Sequence, residues 1–131
     1  MDSAENLKLD GVSVLVVDDS PDNLFLVKRL LTKSGAHVDV ANDGEEAVTL
    51  ATCKPYDVVL MDIQMPKMDG YQATRTLIAQ GYAKPIVALT AHSMNDERNK
   101  TRIAGFAAHL TKPLNAAELI TTISRFGKHI N

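Results

Sequence analysis

Short apolar runs alternate with amphipathic helical patterns along almost the whole chain, and this alternation strongly constrains the fold. Five runs rich in Val, Ile, Leu and Ala predict strands, and they span 12–17, 37–40, 58–61, 86–89 and 106–110. A helical pattern follows each run. Strands separated by helices at this spacing run parallel, with right-handed crossovers and helices on both faces of the sheet. The sequence therefore predicts one doubly wound α/β domain.

Capping residues mark where several of the predicted helices begin. Ser20 is typical of an N-cap, and Pro21 is typical of the first helical position. Asn115 and Glu118 resemble a capping box at the start of the last helix. The fourth helix is predicted over 94–104 and is mostly polar. These signals support a helix after each predicted strand.

The composition indicates an ordinary globular domain with an aliphatic core. The chain has 131 residues, of which 45% are hydrophobic, and it contains no tryptophan. A chain of this length buries roughly two-thirds of its unfolded surface. With 14 basic and 16 acidic residues the net charge is −2. This balance argues against nucleic acid as a partner, because nucleic-acid-binding domains carry a clear basic excess.

The remaining bulk features concern the compartment and the ends of the chain. Cys53 is the only cysteine, which excludes an intrachain disulfide and fits a reducing compartment such as the cytoplasm. No apolar run approaches the ~20 residues that span a bilayer, so direct membrane contact is not expected. Residues 1–11 are polar, lack the apolar core of a signal peptide and are predicted to be a linker or tail.

Polar side chains follow four of the five predicted strands. In an open parallel sheet, ligands bind beyond the carboxyl ends of the strands. Asp18 and Asp19 follow the first strand, Asp62 the third, Thr90 the fourth and, after Thr111, Lys112 the fifth. Each residue alone has an ordinary explanation as a cap, a turn residue or a solvated side chain. Together they predict a cluster of three carboxylates, a hydroxyl and an ammonium at one edge of the sheet.

Such a cluster needs a cation. Two unit charges ~4 Å apart repel by about 4 kcal/mol at an effective dielectric of 20, and neighbouring carboxylates raise one another's pKa. Lys112 supplies one positive charge, and a hard dication would supply the rest. Oxygen ligands with open positions suit Mg²⁺. A carboxylate beside Mg²⁺, with Lys112 and Thr90 nearby, is equipped for phosphoryl transfer with Asp62 as the attacking group.

These residues, in this order, resemble the receiver domain of two-component response regulators. The matching stretches are 14–20 (VLVVDDS), 61–70 (MDIQMPKMDG), 88–91 (ALTA) and 110–113 (LTKP). The resemblance implies a receiver domain over 12–127 followed by a tail over 128–131. It also implies a flavodoxin-like sheet with strand order 2-1-3-4-5. The polar–apolar alternation of 37–40 agrees with that order, because it is typical of a half-exposed edge strand.

The resemblance assigns roles in the handling of the phosphoryl group. Asp62 is implied to be the phosphoacceptor. Lys112 would pair with Asp62 and then with the phosphoryl group, while Thr90 and the Ala91 amide would hold phosphoryl oxygens. The Lys112–Pro113 peptide would be cis.

The resemblance also implies a set of Mg²⁺ ligands. Asp19 would bind the ion directly, and Asp18 would bind it directly or through a water. Asp62 and the backbone carbonyl of Gln64 would complete the protein ligands. In the family, the positions of Gln64 and His92 tune the rate at which the aspartyl phosphate hydrolyses.

A conformational switch is implied at Thr90 and His109. Many receivers have Tyr or Phe where this chain has His109, three residues before Lys112. That aromatic side chain commonly swings inward when the nearby Thr moves, and a His can pack in a similar way. We therefore expect Thr90 and His109 to act as the switch pair.

The implied partner is a sensor histidine kinase or a histidine-containing phosphotransfer domain, which supplies a phosphohistidine. The domain is expected to be a monomer or a weak dimer. The stretches 61–70 and 89–92 look like receivers fused to hybrid sensor histidine kinases, with 1–11 as the linker. A receiver alone is a phosphoacceptor that dephosphorylates itself. Whether the parent chain is an enzyme, and whether it is anchored in a membrane, stays open.

Two other functions are compatible with a related fold. A hydrolase of the haloacid dehalogenase type also forms an aspartyl phosphate, but its nucleophile lies on the first strand with a second Asp two residues on. Here Ser20 stands two residues after Asp18, and Gln64 stands two residues after Asp62. A flavin-binding module needs a phosphate cradle of Gly, Ser and Thr after the first strand, and the acidic residues there would repel a flavin phosphate.

Overall fold

In the part of the chain that the structure describes, five parallel strands form one sheet with five helices packed on its faces. The computed structural model describes residues 9–65, 69–91 and 95–127. The strands are β1 (Ser13–Val17), β2 (His37–Ala41), β3 (Val58–Asp62), β4 (Ile86–Thr90) and β5 (Ala108–Thr111). The helices are α1 (Pro21–Lys33), α2 (Gly44–Cys53), α3 (Gly70–Ala79), α4 (Asn95–Ala104) and α5 (Ala116–Gly127). The sheet order is β2-β1-β3-β4-β5, which confirms the predicted fold.

Alternate residues of the strands supply two separate apolar layers. In β1, Val14 and Val16 belong to the layer that also contains residues of α1 and α5. Leu15 and Val17 belong to the opposite layer, which contains residues of α2 and α3 and also Phe106. Each fully buried side chain of this size contributes roughly 1.5–3 kcal/mol through its removal from water. β1 is therefore held on both faces, which fixes the position of its carboxyl end.

Side-chain caps set where the helices begin. The Ser20 hydroxyl accepts a hydrogen bond from Asn23 N (3.3 Å), and Pro21 is the first residue of α1. Asp43 is the cap of α2, and its side chain accepts from Glu46 N at 2.8 Å. Asn115 Oδ1 accepts from the main-chain amide of Glu118 at 3.0 Å, as predicted for α5. Met94, predicted as the start of the fourth helix, lies outside the described residues.

The strand ends differ from the predicted bounds by one or two residues. Asp62 pairs with Leu89 and Thr90 pairs with Thr111, so these polar residues are the last of their strands and not the first residues beyond them. The backbone ladder continues through a polar residue because it depends on N–H and C=O groups and not on the side chain. β5 begins at Ala108 and not at residue 106, since the Phe106 amide donates to Thr101 O at 3.0 Å.

Leu9 lies inside the stretch predicted to be a linker or tail, and yet its side chain is fully buried. Its amide donates to Ser34 O (2.8 Å), and its carbonyl accepts from Val12 N (3.0 Å). The apolar core therefore includes Leu9, whereas Asp10 and Gly11 are exposed. The two leucines of this polar run, Leu7 and Leu9, are too few to give a clear periodic signal that would predict this. Residues 1–8 and 128–131 lie outside the described part of the chain, and no described helix has the length and apolarity to cross a membrane.

Candidate functional site

Three carboxylates meet at the carboxyl edge of the sheet. Asp18 and Asp19 follow β1, and Asp62 ends β3. One carboxylate oxygen of each residue lies within 4.8 Å of the others. Asp18 and Asp62 are only 2% and 4% exposed, whereas Asp19 is exposed. The structure thus brings together the three acidic residues that the sequence singled out.

Lys112 bridges the two buried carboxylates. Its Nζ lies 2.9 Å from Asp62 Oδ2 and 3.3 Å from Asp18 Oδ2. The residue follows β5, and its amide donates to Thr90 O at 2.7 Å, which ties the loop to the end of β4. The Lys112–Pro113 peptide is cis, as the resemblance implied. The predicted ammonium is therefore part of the acidic cluster.

Backbone and side-chain donors hold the two buried carboxylates in place. Asp18 Oδ1 accepts from the amide of Ser20 (2.9 Å), and Asp62 Oδ1 accepts from the amide of Gln64 (2.9 Å). The side-chain amide of Asn23 also donates to Asp18 Oδ2 at 3.4 Å. Asn23 was not among the predicted site residues. Asn23 stands three residues after the N-cap Ser20, in the first turn of α1 and beside Asp18. This spacing in the sequence could have predicted its contact with Asp18.

The electrostatics of the cluster favour additional positive charge. Burial raises the pKa of the Asp62 carboxyl above its ordinary value, although the Gln64 amide and Lys112 act in the opposite direction. Burial also acts to lower the pKa of the Lys112 ammonium, but its contacts with Asp62 and Asp18 outweigh that effect and the pKa is raised. Lys112 therefore stays charged, and the burial of Asp62 is only partly compensated.

The donor set fits a hard divalent cation. Three carboxylates and one ammonium leave two negative charges in the cluster. Carboxylate oxygens are the ligands that Mg²⁺ prefers, and the exposure of Asp19 leaves room for the waters that Mg²⁺ retains. The arrangement can therefore hold a cation beside the Asp62 carboxylate.

Comparisons with known proteins agree with this geometry. The family model described as "Response regulator receiver domain" matches residues 14–124. The sensor protein GacS of Pseudomonas syringae pv. syringae is 42% identical over 118 residues, which cover 86% of this chain and 13% of that protein. The chain belongs to the receiver domain family. It is thus a receiver domain of a two-component system, and the hydrolase and flavin-binding alternatives receive no support.

Two solved receiver structures are similar in fold. The receiver domain of the sensor histidine kinase PA1611 from Pseudomonas aeruginosa PAO1, with a magnesium ion coordinated in its active-site cleft, is 36% identical with a TM-score of 0.83, covering 91% of this chain and 99% of that one. The complex of the Saccharomyces cerevisiae histidine phosphotransfer protein Ypd1 with the receiver domain of Ssk1 gives 27% identity and a TM-score of 0.83, covering 88% of each chain.

The curated relatives are much longer than this receiver. The chain spans 13% of the rice protein named probable histidine kinase 2 and 13% of the Escherichia coli protein BarA, a signal transduction histidine-protein kinase. What these whole proteins do is therefore not transferred to this chain by similarity alone.

Thr90 and His109, the predicted switch pair of this receiver, lie on neighbouring strands. Thr90 is buried and pairs with Thr111, whereas the half-buried His109 pairs with Ala88, two residues before Thr90. Side chains two residues apart on a strand point to the same face, so Thr90 and His109 share a face of the sheet. Ala91 and Gln64 are exposed at the same edge, and His92 lies outside the described residues.

An apolar surface beside the site was not predicted. Phe25 and Leu26 of α1 are 67% and 56% exposed. Leu26 also lines a cleft of about 150 Å³ whose other lining residues include Asp18 and Lys112. Both side chains lie off the apolar stripe of α1, whose buried members are Leu24, Val27 and Leu31. Apolar residues outside a helical stripe were the signal that could have found this surface.

Proposed function

We propose that this receiver accepts a phosphoryl group on Asp62 from a phosphohistidine partner, in a reaction that requires Mg²⁺. The observation that carries the proposal is the contact of the Lys112 ammonium, 2.9 Å from a buried Asp62 carboxylate, inside a cluster of three acidic residues. A buried nucleophile with a cation at hydrogen-bond distance is suited to an anionic substrate.

The chemical step consists of one bond formed and one bond broken. A lone pair of the Asp62 carboxylate attacks phosphorus, and the P–N bond to the partner's imidazole breaks as the O–P bond forms. The Gln64 amide and Lys112 hold the two carboxylate oxygens, which fixes the direction of attack. Lys112 then passes its contact to a phosphoryl oxygen. Thr90 and the Ala91 amide hold the remaining oxygens in this proposal.

The metal would be held by Asp18, Asp19, Asp62 and the main-chain carbonyl of Gln64. When bound, Mg²⁺ would supply positive charge that neutralises phosphoryl oxygens during the transfer. The two uncompensated negative charges of the cluster support this ligand set. The magnesium ion in the active-site cleft of the related PA1611 receiver adds support.

The partner would dock on α1. Leu26 lines the cleft that contains Asp18 and Lys112, and its exposed neighbour Phe25 extends the apolar surface of α1. An exposed apolar patch beside a reactive site is typical of a protein interface. Support comes from the similar receiver domain of Ssk1, whose structure was solved in complex with the histidine phosphotransfer protein Ypd1. We propose a sensor histidine kinase or a phosphotransfer domain as donor. The parent would be a hybrid sensor histidine kinase, which the complete reading frame would test.

Phosphorylation would change the face formed by α4, β5 and α5. Thr90 would move towards the phosphoryl group, and His109 would fill the space that it leaves. Support comes from the weak apolar anchoring of α4, where the only isoleucine, Ile103, is 82% exposed. A segment with few buried apolar contacts opens at low cost and is suited to a population shift.

The direct test of the proposed function is intact-protein mass spectrometry with acetyl phosphate. We expect the mass to increase by one phosphoryl group when Mg²⁺ is present and to stay unchanged when it is chelated. Asp62→Asn should abolish the increase. Asp39→Asn is a matched control, since Asp39 also accepts from a lysine, Lys54, but lies outside the cluster. Equal labelling of Asp62→Asn and the wild type would refute the proposal.

A further inference from the structure

Gly70, the first residue of α3, lies against the backbone of the proposed phosphoacceptor. A Cβ atom at this position would come within 2.6 Å of the Asp62 carbonyl oxygen and 2.7 Å of Ile63 Cα. Both are main-chain atoms, so no side-chain rotation can make space. Met61 Cγ would lie at 3.0 Å. The position therefore requires glycine because of a close backbone approach and not because of a special turn conformation.

The close approach lies directly beside residues of the proposed site. The Gly70 amide donates to Ile63 O at 3.3 Å, so the start of α3 and the end of β3 are in direct contact. Ile63 stands between Asp62 and Gln64. The Gln64 amide in turn donates to Asp62 Oδ1 at 2.9 Å. A displacement at Ile63 would thus move both the carboxylate and the proposed carbonyl ligand.

The helix has little freedom to move away from an added methyl group. Ala73, Thr74 and Leu77 of α3 are fully buried or nearly so, and Asp69 caps the helix by accepting from Gln72 N at 2.9 Å. Close-packed interiors respond to even one extra carbon with backbone shifts. The strain of a larger residue at position 70 would therefore be shared by the segment 62–64.

We propose that Gly70 is a positioning residue for phosphorylation. Its missing side chain lets α3 press against Asp62 and Ile63 and hold them in the geometry that the metal and the phosphoryl group need. This inference rests on the proposed role of Asp62. Catalytic groups need positions accurate to about 0.5 Å, and relieving a contact of 2.6 Å with main-chain atoms takes a shift of roughly that size or more at segment 62–64, which is enough to impair them.

The test compares Gly70→Ala with Gly81→Ala. Gly81 has φ +88°, and a Cβ there meets no atom within 4 Å. The control variant should therefore lose stability through backbone strain while leaving the site intact. We expect Gly70→Ala to weaken Mg²⁺ binding about tenfold by calorimetric titration and to slow labelling by acetyl phosphate at saturating Mg²⁺ by a similar factor. Both variants are measured well below their melting temperatures.

A second measurement on the wild type needs no folded variant. If Gly70 couples α3 to the site, Mg²⁺ should slow hydrogen exchange of the Gly70 amide and leave that of Gly81 unchanged. Equal Mg²⁺ affinity of folded Gly70→Ala and the wild type would overturn the positioning role alone, as would unchanged exchange at Gly70. A wild type that binds no Mg²⁺ and is not labelled would overturn the proposed function, and this role with it.

Discussion

The Lys112 ammonium lies 2.9 Å from Asp62 Oδ2, although the two residues are 50 positions apart in the chain. They meet because β3 and β5 both pair in parallel with β4, so their carboxyl ends lie at the same edge of the sheet. The Lys112 amide is also bonded to Thr90 O at the end of β4. The same ammonium lies 3.3 Å from Asp18 Oδ2. Lys112 therefore stands where it can favour an anionic substrate and where it competes with a metal ion for the same carboxylates.

Lys112→Ala should separate these two effects. We expect Mg²⁺ to bind several-fold more tightly, because a competing positive charge is removed, while labelling by acetyl phosphate falls about 100-fold for want of a transition-state contact. Calorimetry and intact mass measure the two effects. Lys54→Ala is the control, since Lys54 pairs with Asp39 on an exposed surface. Weaker Mg²⁺ binding in Lys112→Ala would contradict the competition.

Asp19→Asn should weaken Mg²⁺ binding by about tenfold or more, because an exposed, directly coordinating carboxylate is lost. Asp22→Asn is the matched control, as Asp22 is an exposed acid in the first turn of α1. Both variants lose the same unit of charge, so a difference between them reflects the place of Asp19 in the acidic cluster. Titration curves that coincide for the two variants would exclude Asp19 from the ligand set.

The placement of the candidate site residues at one edge of the sheet was largely predictable because it depends on where apolar runs end. Asp18, Asp62, Thr90 and Lys112 each stand at or just beyond the end of a strand, and a parallel sheet brings those ends to one edge. The apolar runs and their spacing are visible in the sequence itself, without knowledge of how the helices pack. The order of the strands was available through the family resemblance, and the half-exposed pattern of β2 agreed with it.

Features that depend on the packing of one element against another were not predictable. The close approach of Gly70 to Asp62 requires the position of α3 relative to β3, which no local pattern contains. The burial of Leu9 depends on its backbone bonds to Ser34, far along the chain. Sequence periodicity reports which face of an element is apolar, and it does not report the distance between two elements.

Asp62→Asn should stabilise the metal-free protein at neutral pH. The pKa of Asp62 is higher in the folded protein than in the unfolded chain, where it is near 4. Between these two pKa values the folded protein binds more protons than the unfolded chain, so its stability falls as pH rises. At pH 7 the ionised carboxylate is a cost that Asn removes. A gain of about 1 kcal/mol would raise the melting temperature by roughly 3–5 °C for a domain of this size.

Thermal unfolding with a chelator present, between about pH 4 and pH 8, measures this effect. The difference between Asp62→Asn and the wild type should shrink as pH falls towards the unfolded pKa, because the wild-type carboxyl is then protonated. Asp22→Asn should show no comparable gain, as Asp22 is exposed. A destabilised Asp62→Asn protein at pH 7 would show that the bond to Lys112 outweighs the burial of Asp62.

Replacing both Phe25 and Leu26 by Ser should weaken binding of the protein partner without changing the reactivity of Asp62. We expect phosphoryl transfer from a phosphorylated histidine phosphotransfer protein to slow at least about tenfold, because the loss of one apolar interface anchor costs more than about 1 kcal/mol of binding free energy. Ypd1 and bacterial phosphotransfer domains serve as donors in this experiment. Labelling by acetyl phosphate should be unchanged, because neither residue belongs to the acidic cluster. Ile103→Ser, another exposed apolar change, is the control.

Phosphorylation should change amide hydrogen exchange between residues 90 and 112. Thr90 and His109 share a face of the sheet, so a shift of Thr90 towards the phosphoryl group opens space that His109 can enter. His109 also lines a groove of about 370 Å³ with Arg102 and Phe106, so its movement would change a surface open to partners. Exchange is compared with and without acetyl phosphate in the presence of Mg²⁺, with β2 as an internal reference.

Thr90→Ala distinguishes a switch from a simple phosphate acceptor. The variant lacks the hydroxyl that would be drawn towards the phosphoryl group, so the exchange changes around β5 should be lost even in protein that carries the label. Labelled wild-type protein with unchanged exchange from 90 to 112 would instead indicate a phosphate relay or sink, because the new charge would then make no differential contact with this face.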